Sequence, residues 1–575
     1  MLKNIRIWVI GACVACPYSI YANSQHNIRL NQVGFYPNAH KHAIVENKTA
    51  DGMAYVTNTE GDTVLCAPLK STAPSPWAGN IRYLADLSAL RQLGHYTLHA
   101  EKASAPVTIG KGLYRGVSLS ALKFFYLMRS GIDIEKKYAG EFARKGGHPD
   151  TMVFIHPAAA SPQRPAYSTI SSPKGWYDAG DYNKYVVNSA FSIGLMLSVY
   201  EKIPDYFKSL QTNIPESNNQ TPDLLDEVMF NLQWLLTMQD PDDGGVYHKL
   251  TTPQFEGFVM PTECKQQRFV VAKSITATLD FAAVMAQAAK VFKKNKDYPD
   301  FSAQAEIAAR KAYAWALKNP EAFYLQSRNN QHFTPAVHTG EYGDNNAQDE
   351  FFWASTQLFL LTGDDTFQKQ AKDFAPSSFS PPTWGSVSAL GTFAWLNSKE
   401  KAWKDTQQKL LNHFATNYTQ RAKASSFNAP FGSTASDYGW GCLAEKCCAP
   451  GISLLFAHPT KFLHAAIDNA DCLFGRNATG FCYITGFGQK SPQHPHHRIS
   501  EADGIKEPFP GMLIGGPNPA QQDLKDGGVH YPSSHPDESY TDQTASYASN
   551  EIAINWNASL VAFICWIDAL MDTSN

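Results

Sequence analysis

From about residue 115 onward, helix-length stretches with apolar periodicity alternate with long connections rich in Gly, Pro and aromatic residues. Apolar residues recur at helical spacing over Ser118–Met128, Leu224–Met238, Val271–Phe292, Ala303–Leu317, Asp349–Leu361, Lys401–Tyr418, Lys461–Phe474 and Asn550–Met571. Val186–Tyr200 is a further apolar run, and Thr221-Pro222-Asp223 is a helix start with proline in the first turn. The connections 240–262, 425–459 and 476–549 are long, and ordering them has an entropy cost, so they are expected to carry function. Many paired helices with long loops predict a mainly α protein. Its 115–575 segment would form an α/α barrel, with a cleft built from the loops at one end.

Residues 25–112 differ. Ile28-Arg29-Leu30, His42–Val45, Ala54-Tyr55-Val56 and His95–Leu98 are short strand-like runs separated by turn residues such as Asn58, Gly61 and Asp62, which predicts a small β-sandwich. Ahead of it, Lys3 and Arg6 precede the short apolar run Ile7–Cys16, with small residues near Ala22. That pattern reads as a signal peptide over 1–22 and predicts export to the periplasm or the medium. A run this short does not span a bilayer, and no later stretch offers about twenty unbroken apolar residues. The net charge of −3, without a Lys/Arg-rich run, excludes a nucleic-acid surface and suits a neutral or weakly charged polymer. Eight cysteines follow the leader, and none has the paired CxxC spacing of a zinc site. Disulfides, with Cys442/Cys447/Cys448 and Cys472/Cys482 as local candidates, or buried free thiols are expected instead.

The chemistry-bearing segment is Gly175-Trp176-Tyr177-Asp178-Ala179-Gly180-Asp181-Tyr182-Asn183-Lys184-Tyr185. Two carboxylates three residues apart precede a helix, and Gly180 is placed to allow a sharp turn. Taken alone, the pair also reads as an Asp N-cap and its neighbour. With aromatic rings to meet the apolar face of a sugar, it reads as part of a glycosidase centre. Inversion at a glycosidic carbon needs a protonated carboxyl and an ionised one about 6.5–9.5 Å apart, with water between. A remote acid fits this requirement. Glu551 is expected to start the last apolar helix, where Tyr547, Ile552 and Trp556 would desolvate it and keep it protonated. Helix-dipole complementarity is the structural alternative for Glu551.

Asp178–Asp181, Tyr540-Thr541-Asp542 with Ser546–Ala558, and Thr485–Gly488 leading to Pro495-His496-His497-Arg498 together resemble glycoside hydrolase family 9. Asp243–Tyr247, Lys273-Ser274, Ala277-Thr278 and Tyr342-Gly343-Asp344 through Phe351 support the resemblance. Asn31-Gln32-Val33-Gly34-Phe35 with Pro37 resembles the immunoglobulin-like domain that precedes many bacterial members. The resemblance implies an (α/α)6 barrel after that domain and inverting hydrolysis of β-1,4-linked glycans. It further implies Glu551 as general acid, Asp181 as general base and Asp178 as a holder of the water. His496, Arg498 and Tyr547 would then line the sugar sites.

Among the tryptophans, Trp176, Trp384 and Trp440 lie in or beside loops and are candidate sugar platforms, whereas Trp234 and Trp353 sit in apolar helices and belong to the core. No cofactor is needed for this chemistry. Structural calcium is an expectation from the resemblance, and the acidic loop Asp240, Asp242 and Asp243 is the candidate site, although it lacks helix–loop–helix spacing. The partner is a β-linked oligo- or polysaccharide. Endoglucanase action leads, with exo-acting β-glucosidase or exo-β-glucosaminidase action and non-catalytic glycan binding as alternatives. The oligomeric state is not legible.

Overall fold

A computed structural model of the chain describes residues 27–572. The segment read as a signal peptide, 1–22, lies outside them. Seven strands come first: β1 (Ile28–Arg29), β2 (His42–Val45), β3 (Met53–Thr57), β4 (Thr63–Ser71), β5 (Tyr83–Asp86), β6 (Gly94–Ala100) and β7 (Ala103–Ile109). They pair antiparallel in the order β1-β2-β5-β4-β3-β6-β7. The first part of β4 pairs with β3 and its last three residues with β5, so one strand serves both layers. Alternation along β6 and β7 sends Tyr96, Leu98, Val107 and Ile109 into a core separate from that of the rest of the chain.

The helices then alternate between two rings. Val186–Tyr200, Ile275–Val291, Gln348–Thr362, Ser388–Trp395, Ala449–Ala457 and Ile554–Asp572 form the inner ring, which closes where the last packs on the first. Arg115–Leu127, Asp223–Met238, Phe301–Lys318, Asp365–Asp373, Lys401–Gln420 and Leu463–Leu473 form the outer ring. Among the described residues this makes an (α/α)6 barrel. Sequence explains the ring each helix joins. Val186–Val199 is buried on every side, whereas Lys401–Gln420 buries only Gln407, Leu411, Ala415 and Tyr418 along one stripe. Ile554–Asp572 is long and apolar enough to cross a membrane, but nearly all of it is buried as an inner helix.

Two features depart from the sequence reading, and a third falls on one of its two alternatives. The connection 425–459 is not all loop, because it holds a π-helical turn, Leu443–Cys448, and the inner helix Ala449–Ala457. Alanine-, glycine- and leucine-rich stretches this short carry too little periodicity to declare themselves. A small sheet of two- and three-residue strands includes Lys184–Tyr185, which leads directly into the first inner helix, and Lys249–Thr251 and Phe269–Val270, which come later in the chain. The eight cysteines of the described residues are free thiols, most of them buried.

The sandwich is fastened to the barrel through Asn31. Its amide donates to Tyr114 at 2.8 Å and Asp471 at 2.7 Å, while its own oxygen accepts from the amides of Val33 and Gly34. Gly34, at φ 124°, lies where a side chain would meet the Thr108 carbonyl.

Candidate active site

Three chain segments are stitched together by their backbones. Ala179 pairs with Ala553 in an antiparallel bridge, and Ile554 donates to the Asp178 carbonyl at 2.8 Å. His496 pairs with Glu551 in a parallel bridge, and the Arg498 amide donates to the Gly180 carbonyl at 3.2 Å. Asp178, Asp181 and Glu551 therefore meet in one cavity of about 440 Å³, together with Tyr185, Phe255, Tyr342, Trp384, Trp440 and Trp556. Gly180 is not in the left-handed region. Its requirement is space, since a Cβ there would lie 2.4 Å from the His496 carbonyl oxygen and 3.2 Å from Glu551 Oε1.

Glu551 does not start a helix. It follows the short helix Tyr547–Asn550 in extended conformation (φ −72°, ψ 160°), and the long helix begins at Ile554. The helix-dipole reading therefore lapses. Burial, followed by the negative charge of Asp181, pushes the Glu551 carboxyl up to about 8, against the opposing pull of Arg498. Asp178 accepts from Asn188 Nδ2 at 2.6 Å on one oxygen and from the Tyr342 hydroxyl at 2.7 Å on the other. Burial and the adjacent Asp181 still raise it, because two close carboxyls resist joint ionisation. Asp181 Oδ2 accepts from Asn183 Nδ2 at 2.5 Å and the Tyr185 hydroxyl at 3.2 Å. Tyr342 reaches Asp178 from a left-handed backbone (φ 47°), uncommon for a tyrosine and a mark of a constrained site.

The other expected residues divide. Trp384 and Trp440 line the cavity, and Trp440 is 49% exposed. Tyr547 stands behind Trp440, with ring centroids 5.6 Å apart, and its hydroxyl donates to Asp526. Trp176 is a core residue, which corrects its reading as a platform. Its ring packs on Phe125 and its indole N–H donates to Glu227. His496 and Arg498 lie outside the cavity lining. His496 Nδ1 donates to the Thr544 carbonyl, and burial lowers the imidazole to about 4. Arg498 donates from Nη1 to the Gly180 carbonyl at 2.7 Å and from Nε to the Glu256 carbonyl at 2.8 Å, so it braces the Asp loop. The sequence reading gave no role to Asn183, Tyr185, Asn188 or Tyr342. Asn188 carried a signal, as an amide in the first turn of an otherwise apolar helix.

The acidic loop at 240–243 is neutralised from within the protein. Asp240 and Asp243 both pair with Lys273 Nζ, at 2.7 and 2.8 Å, and Arg164 also approaches Asp240. Among the described residues, no group of three or more His, Cys, Asp or Glu is gathered for a metal. The nearest approach to one is Asp280 facing Glu350. Both Asp280 oxygens and Glu350 Oε2 are buried without a hydrogen-bond partner. Burial raises both carboxyls, helped by the negative charges of Asp349 and Asp344 at Asp280 and of Asp280 at Glu350.

Residues 114–564 match the family described as Glycosyl hydrolase family 9, and residues 23–105 match the Cellulase N-terminal ig-like domain. The chain is 51% identical over 571 residues to the Bacteroides ovatus protein named Xyloglucan-specific endo-beta-1,4-glucanase BoGH9A, covering 97% of each. It is 31% identical to Endoglucanase D of Acetivibrio thermocellus, covering 93% of this chain and 82% of that one. The solved structure titled Bacteroides ovatus GH9 superposes with a TM-score of 0.90 at 50% identity, covering 95% of this chain and 99% of that one.

Proposed function

Because the chain belongs to glycosyl hydrolase family 9, and is thus an inverting hydrolase of β-1,4-linked glycans, we propose that Glu551, Asp181 and Asp178 perform the reaction, on a xyloglucan-type β-1,4-glucan. The observation that carries this reading is the backbone stitching that puts the three carboxyls in one cavity. Glu551, held protonated well above the ordinary carboxyl range, donates its proton to the leaving glycosidic oxygen. Asp181, ionised, takes a proton from the water that attacks the anomeric carbon from the opposite face. Asp178, fixed by Asn188 and Tyr342, holds that water. The exposed faces of Trp440 and Phe255 offer apolar surface for sugar rings. Xyloglucan and internal cleavage are favoured by the half-identity over the full length to a relative named for that activity.

A second reading, hydrolysis of glucosamine-containing oligomers, draws on Glu341 and Glu445, two further carboxyls in the cavity that could meet an ammonium. One panel separates the two: initial rates and product sizes on xyloglucan, carboxymethylcellulose, cellobiose and chitosan oligomers. Long xyloglucan fragments at early time support the first reading, and monosaccharide release from chitosan ends sinks it. Glu551→Gln lowers turnover on the preferred glycan at least about 100-fold, and near-normal turnover removes Glu551 from the acid role.

Export is proposed from the leader-like residues 1–22. For the structural calcium implied by the family, Asp280 and Glu350 fit as ligands, because their orphaned buried oxygens are hard anionic donors. Its contribution would be to neutralise them and so tie helix Ile275–Val291 to helix Gln348–Thr362.

A further inference from the structure

Lys249 lies in the short strand Lys249–Thr251 and is completely buried. Its ammonium donates to Gln326 Oε1 at 2.7 Å, Thr339 Oγ1 at 3.0 Å and the Gly340 carbonyl at 2.5 Å. Three acceptors for three N–H donors is the arrangement of a charged lysine. All three are uncharged, unlike those of the neighbouring buried Lys184, whose Nζ meets the Asp150 carboxylate at 2.7 Å. A buried cation without a contacting anion is costly unless a charge slightly farther away compensates it. That charge lies across Tyr185. Lys249 Nζ is 5.5 Å from the Tyr185 ring centroid, and the Tyr185 hydroxyl donates to Asp181 Oδ2 at 3.2 Å. The Thr339 hydroxyl, bonded to Lys249, also bonds the Tyr185 oxygen. A polarised chain thus runs from the ammonium through Thr339 and Tyr185 to the carboxylate.

We propose that Lys249 is a positioning residue for the reaction: its buried ammonium is the counter-charge that keeps Asp181 ionised beside Asp178 and Glu551. The inference rests on the reading of Asp181 as the general base. The charged and titratable groups around Lys249 agree with it. On the strand side stand Asp181, Asp178 and Tyr185. The 339–342 segment contributes Glu341, whose carboxylate is engaged by the Gln326 amide at 2.8 Å. Tyr324 lies under Nζ at 5.6 Å, and the adjacent His248 is held neutral by burial, down to about 3. Asp181 is the charge that most favours protonation of Lys249, ahead of Glu341. Burial brings Lys249 down to about 7, so the cation is present across the acidic range in which a carboxylate base titrates.

The test is the pH profile of kcat/KM on soluble β-1,4-glucan for the full-length enzyme. Removing the cation raises the proton affinity of Asp181, so in Lys249→Met the acidic limb moves to higher pH by about half a unit or more. Lys249→Arg, which keeps the charge, moves it back toward wild type. An unmoved limb in a folded Lys249→Met, or a loss of rate equal at every pH, overturns the proposal. If Lys249→Met does not fold, Thr339→Val, which cuts the connecting hydroxyl, must shift the limb in the same direction by a smaller amount, and an unmoved limb there overturns it equally. Asp181→Asn separates the two claims. Appreciable activity in that variant refutes the base assignment, whereas an inactive Asp181→Asn with an unmoved Lys249→Met limb refutes only the role of Lys249.

Discussion

Gly180→Ala is the smallest change that tests how the site is held. The added Cβ would lie 2.4 Å from the His496 carbonyl oxygen and 2.9 Å from His496 Cδ2, where ordinary contact begins near 3.4 Å. About 1 Å of movement must therefore be found. His496 is a poor place to find it, because its amide donates to the Asn550 carbonyl at 2.8 Å and it bridges to Glu551. The Asp loop is held as well, by the Arg498 side chain and amide on the Gly180 carbonyl. Whichever segment yields, Asp181 and Glu551 shift relative to each other. A misplacement of about 1 Å in reacting groups costs on the order of 100-fold in rate, and overpacking costs about 1–3 kcal/mol in stability. The expected result is a kcat near one hundredth of wild type on soluble β-1,4-glucan, measured at saturation by reducing ends, with a modest fall in melting temperature. Gly257→Ala is the control, since a Cβ there meets nothing within 4 Å. A Gly180→Ala enzyme with an unchanged melt and a kcat within about threefold of wild type would refute the idea that close backbone contact sets the carboxyl geometry.

The raised Glu551 carboxyl fixes a sign. A group whose folded pKa lies above its ordinary value of 4.5 contributes stability below that value and loses it as pH climbs toward about 8. Glu551→Gln should therefore melt increasingly above wild type as pH rises from 4.5 to 8, and a constant gap contradicts the shift; wild-type kcat/KM should fall above pH 8 as the acid deprotonates. Trp440→Ala should raise KM about 3- to 10-fold with kcat little changed, whereas Trp176→Ala should cost about 3–5 kcal/mol of stability; a Trp176→Ala protein with a wild-type melt would return that residue to the surface. Calcium chelation should lower the melting temperature of wild type but not of Asp280→Asn combined with Glu350→Gln, and an equal drop in both would remove the ion from that site.

The sequence was legible where chemistry depends on residue type and order, and opaque where it depends on which distant segment arrives. The Asp178–Asp181 pair and Glu551 stood out as a set with the other family-like segments, since each taken alone also reads as a helix cap or a dipole partner. The longer helices were readable from their apolar periodicity, whereas the short ones at Asp365–Asp373, Ser388–Trp395 and Ala449–Ala457 offer too few turns to show a period. Trp176 misled for a tertiary reason: its backbone N–H donates to Asn231 and its indole N–H to Glu227, both on a helix some fifty residues later. The acidic loop likewise depends on a distant partner, because Lys273 arrives from 30 residues downstream to pair with it. Lys249 was invisible for the converse reason, since a lysine between His248 and Leu250 in a short strand reads as solvent-facing. These residues share a property. Each is a polar or aromatic group whose partner is supplied by another segment of the cleft, and a partner is what decides whether such a group faces sugar, core or charge. The carboxyls escape that ambiguity only because the backbones carrying them pair directly, which is why a single methyl at Gly180 is a sharper test of this site than the loss of any one aromatic ring.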